Sequence, residues 1–140
     1  METYKKLYGD AISDLQQIVF EEATRYKYEL NFENFVKGYM QSKYRRRLDN
    51  GNTRIANMTW DELMSYLERD EKHLFQLGVT NIDRLQAGWI GRLYSLLQIE
   101  TNKSSEDIYE KFPLEKMQQL FIPLHTVAEQ IAVDKMIKML

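Results

Sequence analysis

Apolar positions return along this chain at intervals of three and four, the spacing of one face of an α-helix. Tyr4, Tyr8, Ala11, Ile12, Leu15, Ile18, Val19, Ala23 and Tyr26 keep that period and predict a first helix over about residues 3–28. Gly9 weakens it locally, by roughly 1 kcal/mol against Ala. Asn31 can cap a second helix whose apolar face is Phe32, Phe35, Val36, Tyr39, Met40, Tyr44 and Leu48. The run Asp49-Asn50-Gly51-Asn52 stops it, because Asn and Gly accept the left-handed backbone that ends helices. Residues 50–58 then read as a loop.

Thr59-Trp60-Asp61-Glu62 fits a capping box, with Thr59 at the N-cap and Glu62 three residues on. Trp60, Leu63, Met64 and Leu67 form the apolar face of that third helix, and residues 73–80 read as a loop. A long fourth helix starts at Thr80 or Asn81 and ends at Asn102-Lys103. Ile82, Leu85, Trp89, Leu93, Leu96 and Leu97 give it a large apolar stripe. Beside the stripe, Gly88, Gly91 and Ser95 form a strip without bulk, which lets another backbone come close. Ser104 to Asp107 caps a short helix carrying Ile108, Tyr109 and Phe112. Pro113 suits the first turn of the next helix, whose apolar side is Met117, Leu120, Phe121 and Leu124, and Pro123 should kink or end it. Thr126 with Glu129 fits another capping box, opening a last helix from Val127 to near Leu140 with Ile131, Met136 and Ile137 inward. The expectation is an all-α, compact single-domain bundle of six or seven helices over residues 1–140, with Trp60, Trp89, Leu93 and Phe121 in the core.

Composition agrees with that picture. The 140 residues are 44% hydrophobic and 12% aromatic, enough for a real core, and only 6 Gly and 2 Pro punctuate them, too few for many hairpins. No repeat, low-complexity tract or flexible linker divides the chain. The N-terminus lacks the apolar region of a signal peptide, and no run of 18 apolar residues exists to cross a membrane. The expectation is a cytoplasmic protein.

The candidate chemistry is sparse. Without cysteine, disulfides, thiol catalysis and cysteine-ligated metals are excluded. The two histidines, His73 and His125, lack metal-ligand spacing, and His125 is better placed to bond backbone near Pro123. Adjacent acidic pairs (Glu21-Glu22, Asp61-Glu62, Asp70-Glu71, Glu106-Asp107) point about 100° apart on a helix and do not make a shared site. A dispersed polar site around His125, Arg92 and Glu100 has no spacing to support it. No catalytic residue, metal or cofactor is assigned.

One charged cluster stands out. Lys43-Tyr44-Arg45-Arg46-Arg47, with Arg54 downstream, surrounds the end of the second helix. Arginine forks match carboxylate and phosphate geometry, and Tyr44 could stack on a base. The same cations could instead complement the helix dipole and remain solvated. The overall net charge of −2 favours an acidic protein partner over nucleic acid.

Several local patterns occur together: Phe35-x-x-x-Tyr39-Met40-x-Ser42-x-x-Arg45-x-x-Leu48-Asp49-x-Gly51, then Met58-Thr59-x-x-Glu62-Leu63, then Trp89-Ile90-Gly91-x-Leu93-Tyr94. Ser104-Ser105-x-x-Ile108, Pro113-Leu114-Glu115-x-Met117, Leu124-His125 and Ala132 follow. In this order they resemble a family of small bacterial proteins encoded in toxin–antitoxin-like or mobile-element cassettes of Gram-positive bacteria. The resemblance spans most of residues 32–133. It implies a protein-binding or regulatory role and carries over no catalytic residue. With no catalytic constellation in the chain, the expectation is a non-enzymatic protein-interaction module, and the basic cluster keeps a nucleic-acid-contacting regulator or inhibitor as the alternative.

Overall fold

The computed structural model describes residues 2–140. They form nine α-helices and one 3₁₀ turn, with no strand among the described residues. The order is α1 Glu2–Ala23, α2 Phe32–Met40, α3 Lys43–Asp49, α4 Thr53–Ala56, α5 Trp60–Asp70, the 3₁₀ turn Lys72–Leu74, α6 Arg84–Thr101, α7 Ser105–Lys111, α8 Leu114–Leu124 and α9 Glu129–Ile137.

The helix number exceeds the six or seven expected because short polar side chains cut the chain where periodicity alone runs on. The expected second helix breaks at Gln41-Ser42. Ser42 turns extended, and its hydroxyl accepts the Arg45 N–H, so α3 starts as a new helix. Within the expected 50–58 loop, the Asn52 side chain accepts the Ile55 N–H and opens α4, whose Ile55 and Ala56 are buried. The Thr59–Glu62 capping box forms at α5 in both directions.

Three other ends differ from expectation. α1 stops at Ala23, not near residue 28, because the following segment pairs elsewhere. The Asn31 N–H donates to the Gln76 carbonyl at 2.9 Å and the Gly78 N–H to the Glu29 carbonyl at 3.1 Å, tying residues 29–31 to the 73–80 loop. Tyr26 and Tyr28 pack edge to face, and the Tyr28 hydroxyl bonds the Phe75 carbonyl. Asp83, rather than Thr80 or Asn81, caps α6 by accepting the Gln86 N–H. α9 begins at Glu129 after Ala128, without the Thr126 box, since the Glu129 carboxylate is drawn to Arg92. Pro123 sits in the last turn of α8, which ends one residue later.

α1 and α6 make the most extensive contact of the fold, and the other helices wrap around this pair. The face of α6 turned inward is Ala87, Gly88, Ile90, Gly91, Tyr94, Ser95 and Leu97. A Cβ on Gly91 would stand 2.8 Å from the Gln16 carbonyl oxygen and 2.8 Å from the Phe20 ring, so the bare backbone is what allows this approach. The expected apolar stripe is divided: Leu93 and Leu97 are buried, Trp89 is half-buried, and Leu85 is 72% exposed. Around Phe20, the rings of Phe32, Phe35, Tyr39 and Tyr94 meet edge to face, the favoured geometry for aromatic quadrupoles.

Three of the expected core residues, Trp60, Trp89 and Phe121, are not fully buried. Trp60 is 38% exposed, since at the first position of α5 it lines a surface groove with Tyr26 and Met64. Phe121 is only partly buried. It meets Trp89 edge to face at 5.4 Å on the rim where α8 crosses α6, and both rings stay partly open.

Candidate functional site

The basic run falls on α3, where each residue is turned about 100° from the last. Its members therefore separate into three environments. Lys43 and Arg47, four apart, share one outer face; Arg46 points to another; Arg45 points inward.

Arg45 is completely buried and is not part of any surface, contrary to its assignment as a partner contact. The reason is a ring of matched acceptors. Its Nε donates to Gln16 Oε1 at 2.7 Å and its Nη1 to Asp49 Oδ1 at 3.0 Å. Its Nη2 lies 3.5 Å from Ser95 Oγ. Gln16 Nε2 donates in turn to the Gly91 carbonyl at 2.7 Å, and Ser13 bonds Ser95 at 3.1 Å. The other Asp49 oxygen accepts the Ser105 N–H at 2.9 Å and lies 2.9 Å from its hydroxyl. Burial pushes the Asp49 carboxyl upward, against Arg45 and Ser105, which pull it down. One guanidinium thus ties α1, α3, α6 and, through Asp49, α7.

Tyr44 is 5% exposed. Its hydroxyl donates to Asp70 of α5, and its ring lies 6.2 Å from that of Tyr66. Lys43 Nζ and Arg47 Cζ stand 5.6 and 5.4 Å from the Tyr44 ring centre, and Arg69 Cζ stands 4.8 Å from that of Tyr66. These are cation–π distances. Together with Arg54 and Asn52 they enclose a cavity of about 290 Å³ between α3, α4 and α5.

The charge in this cavity is lopsided. Arg69 holds Asp70 through two bonds of 2.7 and 2.9 Å. Those bonds, with the Tyr44 hydroxyl, hold the Asp70 carboxyl far below the usual carboxylate range. Lys43, Arg47 and Arg54 form no ion pair among the described residues. Four cations therefore face one carboxylate that is already satisfied. Arg46 lies outside, lining a separate cleft of about 360 Å³ with Gln41, Asn50 and Gln98.

Sequence reasoning missed Arg69, Tyr66 and Asp70, which come from a separate helix, α5, 12 or more positions beyond Arg54. It also missed Gln16, Ser13, Asp49 and Ser105. A signal existed for Gln16 and Ser13: they occupy the inward stripe of α1 among Ile12, Leu15, Val19 and Phe20, and polar groups there must find partners.

The other candidates stay apart. Arg92 is engaged by Asp14 at 2.5 Å and by Glu129. His125 stacks on Phe121 at 4.1 Å, and its Nδ1 lies 2.7 Å from the Phe121 carbonyl oxygen. Glu100 stands two turns from Arg92 along α6, about 12 Å by helical rise. No group of three or more His, Cys, Asp or Glu among the described residues is arranged around a metal position. No described helix is long and apolar enough to cross a membrane. Gly88 and Ser95 face α1, Gly88 against Glu21 and Ser95 against Ser13. Comparison of the chain with protein families, with characterised proteins and with solved structures finds no match.

Proposed function

We propose that the protein is a non-enzymatic interaction module that receives an acidic segment of a partner protein in the groove lined by Lys43, Arg47, Arg54 and Arg69. The observation that carries this reading is the convergence of three cations that form no ion pair among the described residues on one concavity, whose single carboxylate, Asp70, is already held by Arg69 and the Tyr44 hydroxyl. Solvated cations normally spread apart, and holding several together raises the free energy of the empty groove. An incoming anion relieves that repulsion and steers its own approach. Cassette-type resemblance makes an effector encoded beside this gene the first partner to test.

The groove suits a peptide better than a nucleic acid. Base stacking needs an open aromatic face. Both tyrosine rings here lie against cations, and Tyr44 is almost wholly covered. Titration calorimetry with an oligoglutamate peptide and with a single-stranded oligonucleotide separates the two. The peptide should bind, and Lys43→Glu, Arg47→Glu and Arg54→Glu combined should abolish binding while the circular dichroism spectrum is unchanged. Oligonucleotide binding that falls steeply with salt, with no peptide binding, would replace this reading by the nucleic-acid one.

A further inference from the structure

Resting on the reading of this groove as a partner site, we infer that Lys43, Arg47 and Arg54 form a binding site for a phosphate monoester. Three features select that chemistry over a carboxylate. The first is charge. Asp70 is satisfied by Arg69 and the Tyr44 hydroxyl, so three positive charges are left to face one small space. A carboxylate brings one negative charge and two oxygens, whereas a phosphate monoester brings nearly two charges and three acceptor oxygens.

The second is the lining. The unpaired groups that face the cavity are donors: two guanidinium forks, an ammonium and the Asn52 amide, whose own oxygen is occupied by the Ile55 N–H. A site of donors matches a ligand of acceptors. The third is size. Pockets for whole small molecules hold about 300–1,000 Å³. At about 290 Å³ and open to solvent, this one fits a charged group carried on something larger. The phosphate could come as a phosphorylated side chain of the partner or as a free phosphate, and both present the same oxygens to the groove.

The test uses the whole protein and follows backbone amide shifts by NMR. Phosphoserine peptide, inorganic phosphate, oligoglutamate and acetate are titrated separately. The phosphoserine peptide should shift residues around Lys43, Arg54 and Tyr66. Arg47→Gln and Arg54→Gln should each weaken it about tenfold, the loss of one charge-assisted hydrogen bond. Arg46→Gln should not, because Arg46 lines the other cleft. Affinity should fall as pH drops below about 6, where the second phosphate proton returns. A phosphopeptide tighter than inorganic phosphate assigns the source to a modified side chain; equal affinities assign it to free phosphate. If oligoglutamate binds through the same residues and phosphate compounds do not, the phosphate assignment is overturned while the partner reading stands. If neither binds, both are overturned.

Discussion

Arg45 and Arg47 stand two residues apart on one seven-residue helix and meet opposite environments. Around Arg45, each guanidinium nitrogen has an oxygen partner: Gln16, Asp49 and Ser95 close on it, and Ser105 closes on Asp49. Around Arg47 the balance is left open, with Lys43 and Arg54 beside it and one neutralised carboxylate for company. In a medium of low dielectric an unmatched charge costs several kcal/mol, so an interior cluster must balance. At the surface, water screens the surplus, and a surplus is what remains available for recognition. A run of five residues that looks uniform on paper is thus half scaffold and half surface.

Removing the inner cation should do the most damage. Arg45→Met leaves Asp49 buried without its counter-charge and is expected to cost about 3–5 kcal/mol, read by urea unfolding. Arg47→Met, on the same helix, should change stability by no more than about 0.5 kcal/mol. Equal effects would break the contrast between the two positions.

The next test concerns the close approach that brings Gln16 to Arg45. Gly91→Ala puts a methyl against the Gln16 carbonyl and the Phe20 ring, and should cost about 1–3 kcal/mol despite the better helix propensity of Ala. Gly88→Ala meets the Glu21 side chain instead, 2.8 Å from its Cγ, and a flexible side chain can move aside. It should therefore be milder than Gly91→Ala in the same melting experiment. A Gly91→Ala protein as stable as the parent would mean that α1 and α6 can part without loss.

A smaller effect separates the two regions by pH. In the groove, Asp70 titrates below its unfolded value because Arg69 and Tyr44 favour the charged form. Its contribution is present above the unfolded value of about 3.9 and is lost as pH falls below it. Asp49 runs the other way. Burial raises it, so its contribution is present below the unfolded value and is lost as pH rises through the folded one. Asp70→Asn should therefore show a shallower loss of stability between about pH 4 and 2 than the parent. A parallel pair of curves would mean that Asp70 is not held by Arg69 in solution.

Much of the helical architecture could be read from the chain, and the misses have local causes. The Thr59–Glu62 box and the Ser104 cap are written in adjacent residues, and both form. The break at Ser42 and the short helix at Asn52 are written there too, but an apolar period that continues past them hides both. Trp60 fits its stripe by spacing, yet stays on the surface because spacing says nothing of what covers a helix end. Of the candidate site, Lys43, Arg47 and Arg54 were visible as a basic cluster. Arg69, Tyr66 and Asp70 were not, since nothing in the 43–54 segment announces which helix will lie against it.

By itself the sequence determined that this chain is helical, where many of its helices begin, and which cations could gather near residue 43, because periodicity, caps and local charge act over a few residues. The tertiary structure decided which side of α6 meets α1 and which of two neighbouring arginines is buried. Those outcomes depend on partners far along the chain, and a buried charge is tolerable only where distant residues happen to complete its hydrogen bonds.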